Sequence, residues 1–310
     1  MPNLDTPALT PAELAGLIDH TYLKAFGDAK VLERLCAEAA AYRFASVAVN
    51  GCEVARCAAA LRGTGVKVTA VAGFPLGQMT TEAKLFEVRD ALAKGAGEVD
   101  IVQNVRALQS GDAAFVRNEL AQFARICRDA GAVSKVILEN CYLTDAQKER
   151  ACALACEADV DFVKTSTGFG TGGATVADVA LMRRCVGPER GVKAAGGIRT
   201  LADARALLRA GATRLGTSAG VALVEALRTG RIAGAYLDVL LSEPGPLERI
   251  IRSGKVGEWE GGDRPRTILA ILGTDPQELP PNLIRMPHAS AFSRDYLKRC
   301  FQELKDDGCL

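Results

Sequence analysis

From residue 11 to residue 228 the apolar positions follow two alternating rhythms: short Val- and Ile-rich runs, and longer stretches spaced three or four residues apart. Thr10-Pro11-Ala12-Glu13 reads as a helix start, with Thr10 as N-cap and Pro11 at the first helical position. The run Leu17–Thr21 predicts a first strand, and Val31, Leu32, Leu35 and Ala39 place a helix over 28–42. Strands are then predicted at 44–50, 67–74, 98–104, 134–140, 161–164, 191–195 and 214–217. Helices are predicted between and after them, at 53–62, 80–94, 112–130, 144–157, 176–185, 201–210 and 220–228. Eight strand–helix pairs in about 215 residues fit the usual size of a (β/α)8 TIM barrel. The strands read as short and apolar on both faces, which suits a parallel sheet covered by helices. An open doubly wound sheet obeys the same layer rules, but eight repeats favour closure, and no GxGxxG turn follows the first strand.

The pattern divides the chain into an arm at 1–10, a barrel at 11–229 and a C-terminal extension at 230–310. The extension carries seven prolines from Pro244 to Pro287, the only tryptophan (Trp259) and the second histidine (His288). Helices are predicted there at 232–241 and 291–304, with an apolar run at Thr267–Leu272, and no role is legible in it.

Composition narrows the classes of function. The 310 residues carry a formal charge of +1 with a pI near 7.5, so no basic excess points to nucleic acid. The chain is 48% hydrophobic but only 5% aromatic, which predicts an aliphatic core. No apolar run of about 18 residues suggests a membrane span. The first twenty residues lack the basic region and apolar stretch of a signal peptide. The ten cysteines include no CxxC pair, and neither His20 nor His288 lies near a cysteine pair. They are expected to be reduced, in a cytoplasmic protein without a metal or cofactor.

Three charged residues interrupt apolar strands: Asp100 in Val99-Asp-Ile-Val102, Lys164 at the end of Val160–Val163, and Lys193 in Gly191-Val-Lys-Ala-Ala195. A buried ion network that fixes strand register is one reading of such a set. The other is chemical. Desolvation disfavours a lysine's charged form, a second ammonium disfavours it further, and a neutral amine attacks carbonyls. A carboxylate beside it can move protons through water. Polar residues also gather where each strand ends, among them Asn50, Glu139 and Asn140. Glycine-rich turns follow strands six, seven and eight, at Gly168–Gly173, Gly196-Gly197 and Gly216–Gly220, where barrels commonly bind phosphate.

The segments LIDHTYLK, FASVAVN, VAGFPLGQMTTEAKLFEV, EVDIVQN, FVKTSTGFGTGGAT, GVKAAGGIRT and RLGTSAG together resemble the deoxyribose-phosphate aldolases, in order from about residue 12 to 226. The resemblance implies a class I aldolase on a (β/α)8 barrel, with Lys164 as Schiff-base lysine, Lys193 lowering its pKa and Asp100 in proton transfer. It implies substrate contacts at Asp19, Thr21, Thr167, Gly168, Gly196, Gly197, Arg199, Gly216 and Ser218. The substrate would be a small phosphorylated sugar, 2-deoxyribose 5-phosphate, with no metal or other cofactor, and the protein a homo-oligomer, a dimer. Other readings are a lysine aldolase for a different phosphorylated sugar and a silent barrel serving as a scaffold. Ala48 stands where many relatives have cysteine. Some relatives end in a tyrosine that assists proton transfer, a role not carried over to Tyr236 or Tyr296.

Overall fold

In the computed structural model, residues 9–28 and 30–228 are described. The arm's first eight residues lie outside them, as does the whole extension with its predicted helices and its tyrosines. Eight parallel strands close into a barrel in sequence order, β1 pairing with β8. They are β1 Ile18–Tyr22, β2 Ser46–Val49, β3 Lys67–Ala72, β4 Glu98–Val102, β5 Val133–Ile137, β6 Phe162–Lys164, β7 Gly191–Ala195 and β8 Arg214–Thr217. The helices are α1 Pro11–Ala15, α2 Lys30–Tyr42, α3 Val54–Ala60, α4 Thr81–Ala93, α5 Val105–Gln109, α6 Ala113–Asp129, α7 Asp145–Glu157, α8 Val176–Val186, α9 Leu201–Arg209 and α10 Gly220–Arg228. None of them is long and apolar enough to cross a membrane.

Local chemistry sets the boundaries. Thr10 caps α1 in a capping box with Glu13, and Thr80, Thr144, Thr175 and Thr200 cap α4, α7, α8 and α9. Helix α6 buries Val116, Leu120, Phe123, Ala124 and Cys127, one stripe at helical spacing against the barrel. The sequence did not predict α5. The strand expected over 98–104 stops at Val102 because Asn104 turns to accept from the Ala107 amide at 3.0 Å and starts a helix.

The expectation of strands apolar on both faces is corrected. Val47, Val49, Val99, Ile101, Val136, Val163, Val192 and Leu215 are buried and form the core with the helices. The alternate positions point into the barrel, and seven of them carry charge: Asp19, Glu98, Asp100, Lys135, Lys164, Lys193 and Arg214 contact one another there, beside uncharged positions such as Ala48, Thr69, Val71 and Phe162. Barrel interiors are usually packed with branched aliphatic side chains. This one holds a seven-residue ion cluster among its aliphatic and small side chains.

Candidate active site

The register puts the charges in layers. Asp19, Thr69, Lys135 and Lys193 come from odd strands, while Glu98, Phe162 and Arg214 lie below them on even strands and Asp100 and Lys164 above. Asp100 is the hub. Its Oδ2 accepts from Lys164 Nζ and Lys193 Nζ, each at 2.8 Å, and its Oδ1 from Lys135 Nζ at 2.8 Å. Lys135 also meets Glu98 at 2.6 Å. Lys193 pairs with Asp19. Arg214 donates to Asp19 at 2.6 Å and Glu98 at 3.0 Å, and stacks over the Phe162 ring. Ser46 donates to Asp19 at 2.8 Å and Thr69 to Glu98 at 3.2 Å.

Four cations thus face three carboxylates, all of them almost fully buried except Arg214, whose side chain is 14% exposed. Lys67 approaches Glu98 at 3.9 Å from outside, but its side chain is 53% exposed and solvated. Isolated buried charge is expensive, so such a cluster favours neutrality, and one cation is in excess. Geometry identifies it. Lys135, Lys193 and Arg214 each touch at least two carboxylates; Lys164 touches only Asp100. Burial drives the Lys164 pKa down. Asp100 opposes this, Lys193 and Lys135 add to it, and the net value is about 8. The like-charge effect expected of Lys193 is therefore present but second to desolvation. Burial alone would raise the Asp100 carboxyl, yet Lys135, Lys164 and Lys193 hold it well below the usual carboxylate range. For Lys135 the three carboxylates outweigh burial and push its pKa upward.

The sequence-predicted residues are not all at the strand ends. Asp100 is mid-strand, and Asp19 is fully buried among Lys193, Arg214 and Ser46. Asp19 therefore anchors Lys193 and Arg214 within the barrel. Thr21 is half-buried, its hydroxyl donating to the Asp19 carbonyl at 2.8 Å. Thr167 is buried, its hydroxyl donates to Glu139, and it lines the cavity at this end of the barrel. The exposed Gly168 and Gly197, and Gly196, have positive φ of 87°, 82° and 89°, where a side chain would be strained. Arg199 and Ser218 are exposed near the starts of α9 and α10. Gly216 lies inside, where an added Cβ would sit 3.1 Å from Lys193 Cε. A cavity of about 340 Å3 opens at this end, walled in part by Pro75, Leu76, Glu139, Thr167 and Phe169, with Val102 one inward step beyond Asp100.

Sequence reasoning missed Lys135, Glu98 and Arg214. The available signal was parity: Glu98 and Asp100 are two apart on β4, and Lys135 is the register partner of Asp100. Among the described residues, no group of three or more His, Cys, Asp or Glu side chains could hold a metal.

A closed (β/α)8 barrel with a partly deprotonated internal amine beside a carboxylate defines a barrel enzyme equipped for carbonyl chemistry. Residues 14–227 match the model of the DeoC/LacD family aldolases, and the chain belongs to that family. The deoxyribose-phosphate aldolase of Bacteroides thetaiotaomicron is 60% identical over 220 residues, 71% of this chain and 92% of that protein. Its counterpart from Thermococcus gammatolerans is 51% identical over 218 residues, 70% of this chain and 97% of that protein. Among solved structures, the tetrameric deoxyribose phosphate aldolase of Aeropyrum pernix aligns with a TM-score of 0.67 at 34% identity, over 71% of this chain and 92% of that one.

Proposed function

We propose that residues 11–229 form an aldolase that reversibly cleaves 2-deoxy-D-ribose 5-phosphate into acetaldehyde and D-glyceraldehyde 3-phosphate through a Schiff base on Lys164. The observation that carries this reading is the excess cation: Lys164 holds a single carboxylate partner and has a pKa of about 8. A useful fraction of its amine is therefore neutral near pH 7.

The neutral Nζ attacks C1 of the open-chain sugar, and loss of water gives an iminium. The C3 hydroxyl loses its proton, the C2–C3 bond breaks, and its electron pair moves onto C2 as the iminium becomes an enamine. Glyceraldehyde 3-phosphate leaves. C2 then takes a proton, and hydrolysis releases acetaldehyde and regenerates the amine. Asp100, kept as a carboxylate by three lysines, is the group placed to pass protons through water. Lys193 and Lys135 hold that carboxylate in position, and Asp19 and Glu98 hold the lysines. Gly168, Gly196, Gly197, Arg199 and Ser218, with the amides opening α10, form the phosphate end, where backbone N–H groups and a helix terminus favour an anion. Gly216 leaves room for Lys193.

Borohydride reduction with 2-deoxyribose 5-phosphate tests the reading. A reduced adduct is expected on Lys164 by peptide mapping, and Lys164→Ala is expected to lose both adduct and turnover. An adduct on another lysine, or none, rejects it. Self-association belongs to the same reading, and light scattering should give at least twice the 32.7 kDa of one chain.

A further inference from the structure

Glu139 follows β5 with φ 56° and ψ 62°, in the left-handed region. Two other non-glycine residues share a positive φ among those described, Arg43 and Asp159, and both follow helices α2 and α7, where such a turn is ordinary. Glu139 follows a strand, inside the barrel mouth. The chain on either side of it stays tied to the Lys164 segment: the Leu138 amide donates to the Lys164 carbonyl and the Asn140 amide to the Thr165 carbonyl, each at 2.9 Å. Only Glu139 is turned out of the ladder, and a strained residue at such a place invites a functional explanation.

Its side chain supplies one. Glu139 is 3% exposed, and among the described residues no cation pairs with it. Its carboxylate instead accepts from the Thr167 amide at 3.2 Å, from the Thr167 hydroxyl, and at 3.8 Å from the Cys141 thiol. The Thr167 oxygen in turn accepts from the Phe169 amide at 3.0 Å, which curls 167–169 into a tight turn. Three residues on from Thr167, Gly170 lies against the same carboxylate, close enough that a Cβ there would be 3.1 Å from Glu139 Cδ. Glu139 therefore grips the loop at Thr167 and lies close beneath it again at Gly170. Between those points lies Gly168, whose surroundings are open: nothing stands within 4 Å of where its Cβ would be. The hydrogen bonds that shape its backbone are those of the turn on either side of it.

We propose that Glu139 is a positioning residue that sets the direction of the Gly168 turn toward the phosphate end, and so sets the preference for a phosphorylated over a free sugar. The proposal rests on the aldolase reading above. It separates two properties of one loop. Lys164, at the root of the loop, is fixed by β6 and Asp100, so imine formation does not need Glu139. Recognition of the phosphate, at the tip, does.

The test compares wild type with Glu139→Gly, Glu139→Gln and Thr167→Val. Glycine relieves the backbone and removes the carboxylate; glutamine keeps shape and one acceptor. Each protein is assayed with 2-deoxyribose 5-phosphate and with 2-deoxyribose, and trapped with acetaldehyde and borohydride, a ligand without phosphate. For Glu139→Gly the ratio of kcat/KM between the two sugars is expected to fall by about tenfold, the effect of losing one well-placed charge-assisted bond, chiefly through KM. Thr167→Val should follow it, Glu139→Gln should recover part of the ratio, and acetaldehyde trapping should persist in all three. An unchanged ratio, with both sugars falling together or neither falling, overturns the proposal, as does loss of trapping in the folded Gln variant. A wild type that traps no acetaldehyde rejects the aldolase reading itself and this inference with it.

Discussion

Replacing Lys193 with methionine should move the pH dependence of the reaction and spare its ceiling. Lys164 and Lys193 donate to the same oxygen of Asp100 at 2.8 Å each, so about 5.6 Å bounds the separation of their nitrogens. Two like charges about 5 Å apart repel by about 3 kcal/mol at an effective dielectric constant near 20. At 1.36 kcal/mol per unit, removing one raises the pKa of the other by about two pH units. The sign follows from the charge count: without Lys193, three carboxylates face Lys135 and Arg214, and a protonated Lys164 restores neutrality. From a pKa of about 8, the neutral fraction at pH 7 is about one-tenth. In the variant it falls to about one-thousandth, so kcat/KM should drop about 100-fold at pH 7 and recover steadily as the pH approaches 10. The assay is retro-aldol turnover in a coupled NADH reaction from pH 6 to 10, with circular dichroism to check folding. An inflection that stays at the wild-type pH, or a loss equal at every pH, would refute the argument and make Lys193 a direct contact to substrate.

Lys164→Met should stabilise the folded protein while abolishing activity. A lysine whose folded pKa lies below its unfolded value of about 10.4 binds fewer protons when folded, so wild-type stability rises from pH 8 to pH 10, and the variant's advantage of up to about 3 kcal/mol at pH 7 should vanish above pH 10 in thermal melts. Lys84→Met should cost about 3–5 kcal/mol in urea unfolding. Lys84 is fully buried, donating to Glu119 at 2.7 Å and to the Val102 carbonyl at 2.9 Å, and its loss strands the Glu119 carboxylate; adding Glu119→Leu should restore much of the difference. Gly216→Ala should reduce kcat by about tenfold or more, because the new methyl, 3.1 Å from Lys193 Cε and 3.0 Å from Ala195 Cβ, has to displace a side chain that holds Asp100. Unaltered turnover in a folded Gly216→Ala protein would show that Lys193 tolerates the shift.

The barrel was legible because its signal is redundant. Eight alternations of two periods survive errors of a few residues at any boundary, and the threonine caps mark several helix starts directly. Boundaries failed where one side chain decided them. Asn104 looked like the end of a strand and is a helix cap; Glu139 looked like another and is a left-handed turn. Asp100, Lys164 and Lys193 stood out because each interrupts an apolar run. Lys135 did not: in Val133-Ser-Lys-Val-Ile137 it sits beside Ser134, a polar pair that reads as the solvated start of a strand, and only closure of the barrel turns Lys135 inward.

That omission matters to the chemistry. With Asp100, Lys164 and Lys193 alone, two amines share one carboxylate, and only the family resemblance, not the charge count, says which gives up its proton. Glu98, Lys135, Arg214 and Asp19 decide it, because every cation except Lys164 bridges at least two carboxylates. A network that served only to lock strand register would need no surplus charge. Here the surplus falls on the lysine at the end of its strand, at the root of the loop whose Thr167, Phe169 and Gly170 wall the cavity. In the proposed reading the position of the nucleophile is thus a property of the whole ring of charges, and any substitution that adds or removes one of them should be felt first as a change in the protonation of Lys164.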